Sequence, residues 1–400
     1  MSEDVWVLGA SMTKIGRYPD KDVVDLASEA SLNALADGGV TIDDMQVLAA
    51  GCMFQAGGIG QQIQKQIGQT GIPVYNVLNA CATGATAVRT VYLEVKAGLA
   101  DMGIAIGAEQ MGKMGLLGAG GVARAEKKVY EPSGRYGAVM GVDGILGSGT
   151  MPAVFGQAGM EYAYEHDGVG FEQFAKVAEK NHAHSALNPL AQYNKVFTLD
   201  EIKNARVISW PNTLPMCCPT GDGAAAVVLV SDSKLKTLSR EQQRRAVKIS
   251  ASVLTSDPWT EGAQVQPDVN TLTRNAATQA YEAAGVGPDD LDLVELHDCF
   301  ATAELIHYDN LMLCEPGGAG AFIDSGAPRR DGSTPVNVSG GLLSKGHPIG
   351  MTGAAGVFEI TTQLRGEAGD RQIEGAKVGM AHVIGLGSAC GIHILEKSAA

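Results

Sequence analysis

Apolar positions in this chain fall into two recurring patterns. Short apolar runs, such as Val74 to Leu78 and Ala224 to Val230, predict buried strands. Further short strands are expected at Val47 to Gly51, Leu293 to Leu296, Val336 to Val338 and Ala389 to Leu395. Longer stretches rich in small residues predict helices, with Ala85 to Val95 packed on a small face and Val169 to Ala186 ending before Asn188-Pro189. Gln61 to Gln69 reads as a helix with little core periodicity.

These patterns occur twice in the same order. Cys81-Ala82-Thr83-Gly84-Ala85-Thr86-Ala87-Val88 matches Gly350-Met351-Thr352-Gly353-Ala354-Ala355-Gly356-Val357, and a Pro-Val strand precedes each, at Pro73-Val74 and Pro335-Val336. Upstream, Gly39-Val40-Thr41-Ile42-Asp43-Asp44-Met45 matches Gly285-Val286-Gly287-Pro288-Asp289-Asp290-Leu291, each after an alanine-rich helix. Such internal similarity predicts an α/β body of two halves, 1–110 with 212–246 and 247–400, whose equivalent turns face each other across a seam. Residues 111–211 have no counterpart and read as an inserted domain, the lid over a ligand. Its first part holds Gly-rich text from Gly115 to Gly121 and a mobile-looking stretch from Tyr130 to Gly149.

Composition narrows the class. Apolar residues make up 45% and charged residues 18% of 400, which places the chain among compact globular proteins of more than one domain. A net charge of -14 argues against a nucleic-acid partner, which needs a basic face. Seven cysteines, an odd number with a vicinal pair at Cys217-Cys218 and no CxxC spacing, point to free thiols in a reducing compartment and away from structural zinc. The N-terminal text lacks a signal-peptide pattern and no apolar run is long enough to span a membrane, so a cytoplasmic protein is expected.

Chemistry concentrates at the repeated corners. Cys81 ends an apolar run and opens a helix, a position where the helix dipole favours thiolate and lowers a thiol pKa. A lone cysteine is by default core, but the small residues after this one leave the backbone amides open to a ligand. In the second half the same corner carries Gly346-His347-Pro348-Ile349-Gly350. Symmetry therefore brings a cysteine and a histidine to one seam. Three other loops follow strands in the second half: His297-Asp298-Cys299-Phe300, Ser339-Gly340-Gly341 and Gly385-Leu386-Gly387-Ser388.

That order of loops resembles the thiolase superfamily, and most of all the sterol carrier protein X type of thiolase. The hallmark of that type is His-Asp-Cys-Phe where ordinary thiolases have Asn-Glu-Ala-Phe. The similarity extends to Cys217-Cys218-Pro219-Thr220, Asn181-His182-Ala183-His184-Ser185 and Gln363-Leu364-Arg365-Gly366-Glu367-Ala368-Gly369. It spans the chain without the lipid-transfer domain of that type. The resemblance implies duplicated α-β-α-β-α layers and an acyl-CoA C-acyltransferase that makes or breaks a carbon-carbon bond through an acyl-cysteine. It implies catalytic roles for Cys81, His297, Cys299 and His347, and oxyanion or loop roles for Gly387, Ser339 and Gly340. Coenzyme A enters as a substrate, with no permanently bound cofactor and no metal. A homodimer through the first half is implied, with a tetramer left open.

Ordinary thiolases carry a second catalytic cysteine in a late Cys-x-Gly loop, whereas this chain reads Val383-Ile384-Gly385-Leu386-Gly387. Cys299 then becomes the acid/base candidate, Cys390 reads as core, and His382 reads as orienting the loop. Two rival readings are a retro-aldol lyase acting on steroid side-chain CoA thioesters and a non-catalytic acyl-CoA-binding protein.

Overall fold

The computed structural model describes residues 3–54, 57–111, 133–134, 137–138, 151–258, 269–386 and 389–397. Nine strands make one sheet: β1 (Val5–Met12), β2 (Val47–Gly51), β3 (Val74–Val77), β4 (Met102–Gln110), β5 (Asp222–Ser231), β6 (Val247–Thr255), β7 (Leu293–Glu295), β8 (Val378–Gly385) and β9 (Ala389–Lys397). Their order is β7-β8-β9-β6-β1-β5-β4-β2-β3. The duplication is visible in the ladders. In the first half β2 and β4 are parallel, and β4–β5 and β5–β1 are antiparallel. In the second half β7 and β8 are parallel, and β8–β9 and β9–β6 are antiparallel. The halves meet where β1 and β6 pair through Trp6–Lys248 and Val7–Val247.

Alanine-rich helices cover the strands because small faces let backbones approach closely. Helix α1 (Val23–Gly38) packs on β1 and β5 of the first half. Its counterpart, Val269–Ala284, packs on β6 and β9 of the second half. Helix α2 (Ile59–Ile67) has the core periodicity that its sequence hides: Ile59, Ile63 and Ile67 share one buried face. Replacing Ile63 with Ala would cost about 2–5 kcal/mol.

The two corner helices, α3 (Thr83–Lys96) and Thr352–Arg365, pack against each other in the middle of the molecule. A Cβ on Gly84 would meet the backbone of Gly350, Gly353 and Ala354, and one on Gly353 would meet Ala85. This close approach explains why the repeated text keeps glycine at both positions. On the far side of the seam, Asp37 accepts bonds from Arg245 at 2.8 Å and Arg365 at 2.7 Å. Arg245 also reaches Glu367 at 3.0 Å, so α1 is tied to the second half by charge.

One expected strand is absent. Val336 makes only a single parallel bridge to Val294, because Asn337 takes a left-handed backbone (φ 56°) that no strand continues through. Asn337 Oδ1 instead accepts the Leu296 N–H at 2.9 Å.

Between β4 and β5, helices α4 (Met151–Glu165) and α5 (Phe171–Ser185) pack on the second half, against the helix Ala301–Asn310. Tyr162 donates to Asp309 at 2.9 Å there. Gly115 to Gly121, and all of Tyr130 to Gly149 but two short strands, lie outside the described residues. No helix among the described residues is long and apolar enough to cross a membrane.

Candidate active site

The corner that presents Cys81 is built by hydrogen bonds and one strained residue. Ala80 holds φ 47°, costing about 1–3 kcal/mol for a residue with a Cβ. Thr83 secures it: its Oγ1 accepts from Asn79 N–H at 2.9 Å and donates to the Ala80 carbonyl at 2.6 Å. Asn79 Nδ2 donates to Thr86 Oγ1 at 2.9 Å. Cys81 thereby stands half-buried at the start of α3.

Across the seam, the Gly346-His347-Pro348 loop brings His347 to this thiol. One donor atom each from Cys81, His297 and His347 lies within 4.8 Å of the other two. The two imidazoles meet edge to face, with centroids 5.2 Å apart. Phe155 of the insert packs on His297 and Phe300, at centroid distances of 6.3 and 5.6 Å. A cavity of about 230 Å³ opens over these groups, and Cys299 and Cys218 also line it. Its remaining walls are mostly apolar, with Met53, Phe54, Ile349 and Leu386 among them.

The hydrogen bonds of His347 define its proton. Thr352 Oγ1 lies 2.7 Å from His347 Nδ1 and donates its own hydroxyl proton to the Pro348 carbonyl at 3.1 Å. The Thr352 oxygen is therefore the acceptor from Nδ1–H, which leaves a lone pair on Nε2. Burial holds His347 down at about 3, so the imidazole is neutral at neutral pH. Burial, with the neighbouring His347, His382 and His307, also holds His297 well below its ordinary value.

Cys81 departs from the expected lowered pKa. Burial pushes its thiol up to about 12; its own backbone hydrogen bond lowers it, and the nearby Glu109 carboxylate raises it further. In the free pocket desolvation outweighs the helix end, and Cys81 rests as a neutral thiol. Burial first, then Cys218, Cys81 and Asp298, holds Cys299 well above its ordinary value.

Buried polar residues, some inside the recognised motifs and some outside them, support these groups. Glu109 is fully buried at the end of β4 and accepts from Met53 N–H (2.9 Å), Phe54 N–H (3.3 Å), Gly350 N–H (3.3 Å) and the Cys52 thiol (3.2 Å). It joins the Met53-Phe54 wall to the His347 loop, so this apolar pair is held within its own chain. Asp298 accepts Leu342 N–H at 2.6 Å, Leu343 N–H at 3.2 Å and Asn181 Nδ2 at 2.7 Å. Asn181 also donates to Glu304, which pairs with the fully buried Lys180 at 2.8 Å. This connected set fixes the backbone on either side of His297 and Cys299.

Ser339 and Gly340 are placed in the loop framework and do not line the pocket. Glu295 accepts the Ser339 N–H at 3.0 Å and hydroxyl at 2.5 Å, and Lys345 donates to Ser339 Oγ at 2.7 Å. Gly340 takes φ 99° against Ser185, where a side chain has no room. Gly387 lies outside the described residues. Its neighbour Gly385 leaves no space for a Cβ against the Asn79 carbonyl, so the late glycine turn starts beside the Cys81 corner. His382 lies in β8, and its Nδ1 accepts the His297 N–H at 3.4 Å. It therefore holds the His297 backbone from behind. Cys390 is fully buried in β9, as core.

Among the insert's cations, Lys180 is consumed by its buried ion pair and cannot meet a phosphate. Lys176 pairs with Glu172 and Asp324, and Lys195 lies 4.3 Å over the Phe197 ring. Arg124, Lys127, Lys128 and Arg135 are outside the described residues.

Two helices meeting at a Cys-His seam, on a duplicated sheet, define an acyl-transfer enzyme of one architecture. Residues 5–233 match the thiolase N-terminal domain, and residues 259–397 match the family described as thiolase C-terminal domain-like. Sterol carrier protein 2 of Rattus norvegicus is 39% identical over 395 residues, covering 96% of this chain and 70% of that protein. An acetyl-CoA acetyltransferase of Methanothermobacter thermautotrophicus is 36% identical, covering 98% of this chain and all of its own length. Among solved structures, an Ltp2-ChsH2(DUF35) aldolase superposes with a TM-score of 0.81 at 21% identity, covering 100% of this chain and 99% of that one. Human mitochondrial 3-ketoacyl-CoA thiolase in complex with CoA superposes at 0.72 and 18% identity, covering 99% and 98%. The chain belongs to the thiolase family.

Proposed function

We propose that this chain, an acyl-CoA C-acyltransferase of the thiolase family, works by a two-step exchange through acyl-Cys81. One observation carries the reading: the reactive atoms of Cys81, His297 and His347 converge within 4.8 Å in a pocket also lined by Cys299. His347 Nε2 takes the Cys81 proton as the sulfur attacks the 3-keto carbon of a 3-oxoacyl-CoA. The raised thiol and depressed imidazole keep both groups neutral until substrate arrives, so charge forms only along the reaction path. Cleavage between carbons 2 and 3 leaves acyl-Cys81 and the enolate of acetyl-CoA or propanoyl-CoA. Cys299 protonates that enolate and then deprotonates the incoming CoA thiol. His297 and His347 stabilise the enolate oxygen; the amides of Cys81 and Gly387 hold the tetrahedral oxygen. Each such donor lowers the barrier by roughly 3 kcal/mol.

Residues 111–211 act as the lid that holds the CoA tail and acyl chain. Two copies pair through the first half, where β3 is the sheet edge and Tyr75 within it and Leu78 just after it are exposed at 41% and 59%. Seven free thiols fit a reducing, cytoplasmic setting. The test of function is thiolysis of a 3-oxoacyl-CoA with labelled-acyl trapping on Cys81; turnover without an acyl-cysteine would overturn the mechanism. The aldolase structure favours a retro-aldol lyase as a second reading, and release of a carbonyl product without CoA would select it. Light scattering decides assembly: full activity at a mass near 41.5 kDa would refute the dimer.

A further inference from the structure

The convergence that serves acyl transfer is also a donor set for a metal ion. Around tetrahedral zinc, with Zn–N about 2.1 Å and Zn–S about 2.3 Å, protein donors lie roughly 3.4–3.6 Å apart. The Cys81, His297 and His347 donors, all within 4.8 Å of one another, reach that arrangement by moving inward about 1 Å. His347 Nδ1–H is already bonded to Thr352 Oγ1 at 2.7 Å, the outer hydrogen bond that orients a ligating histidine and directs its other nitrogen to the metal. His297 is 1% exposed and its Nδ1 has no partner among the described residues, so none of these opposes a turn of the ring through that nitrogen. A thiol with two imidazoles selects zinc and similar soft or borderline cations over magnesium or calcium, which require oxygen ligands. The fourth position opens to the cavity.

We propose that Cys81, His297 and His347 form a reversible inhibitory site for one zinc ion per chain, which ties up the nucleophile. Binding forms a Zn–S bond and releases the Cys81 proton to solvent, with no change of oxidation state. The site is separate in kind from the reaction, which needs no ion.

The test reads binding directly, so its outcome does not depend on the acyl-transfer mechanism. Metal-free full-length protein is titrated with zinc chloride by calorimetry, then with cobalt(II) by absorption spectroscopy. One zinc per chain with a dissociation constant of about 1 µM or below is expected, reversed by a chelator and unmatched by millimolar magnesium. Cys81→Ser should weaken zinc at least 100-fold and remove the thiolate-cobalt charge-transfer band. His347→Gln should weaken it at least 10-fold, whereas Cys314→Ser, outside the pocket, should leave it unchanged. Circular dichroism of each variant establishes that it is folded; an unfolded His347→Gln is replaced by His297→Asn, with the same expected loss. Wild-type affinity in Cys81→Ser, or no binding at 100 µM zinc, overturns the site.

Discussion

The two corners at the seam share a backbone plan and differ in what they display. At the first, Ala80 at φ 47° and the Thr83 bonds hold a sulfur at the start of α3. At the second, Gly350 stands where the cysteine would be, and the chemistry moves back to His347, anchored by Thr352. Thr83 and Thr352 occupy equivalent positions in the repeat, yet one braces a turn and the other orients an imidazole. Packing requires both corners to keep small residues, since Gly84 and Gly353 touch the opposite helix. Function requires the corners to diverge, since a base and a nucleophile cannot be the same residue. The duplication thus supplies the seam, and departures from it supply the candidate reactive groups that meet there.

Removing the nucleophile tests the first corner most severely. Cys81→Ala should lower acyl transfer by about 10⁴-fold or more while the melting temperature stays within about 3 °C, because the lost sulfur lines the pocket and no cavity forms in the packed core. Acyl labelling of any other cysteine in the wild type would overturn the assignment. At the second corner, His347→Ala should cost about 10³-fold, as base and oxyanion donor vanish together. His297→Asn installs the amide of ordinary thiolases and should cost only about 10–100-fold; equal losses in the two variants would give His297 more than a hydrogen-bonding role. Cys299→Ala should still acylate Cys81 from an activated thioester but lose carbon-carbon chemistry, and near-normal thiolysis in that variant would remove Cys299 from the mechanism.

Smaller effects probe the seam as structure. Gly84→Ala forces a methyl into the backbone at Gly350 and Gly353, and should destabilise by about 1–3 kcal/mol, read as a lower urea midpoint. Acid should act through the buried imidazoles. His184, His307, His347 and His393 are each held down at about 3 by burial, against an ordinary 6.5. The unfolded chain therefore binds more protons between these values, and stability should fall as pH drops below about 6.5. Cys81, Cys217 and Cys314, each raised to about 12 from 9.0, retain protons that the unfolded chain loses, so stability should also fall above about pH 9. Melting temperatures across pH 4 to 10 should show a plateau between these limits; a flat profile through pH 5 would contradict the burial of the histidines.

Much of this protein was legible in one dimension. The internal repeat located both corners, because equivalent backbone environments select equivalent small residues, and the strand at Val47 to Gly51 has the boundaries expected of it. Cys81 and His347 stood out at the repeated corners, and His297 and Cys299 through the resemblance of their loop to a known family motif; all four line the cavity. Ser339 and Gly340, read as oxyanion or loop residues, lie outside the cavity lining, since a glycine turn looks alike whether it meets a ligand or Ser185. Glu109, Lys180 and Glu304 carried no local signal; each is defined by partners distant in sequence. The isoleucines of α2 show the same limit in miniature, since a face of three residues in a short helix becomes a pattern only once the sheet beneath it is known. Sequence by itself determined the duplicated plan and pointed to the candidate groups that line the cavity, which depend on local turns and spacing. Tertiary structure alone decided their protonation, because the desolvation that raises Cys81 and lowers His347 comes from walls contributed by both halves and the insert.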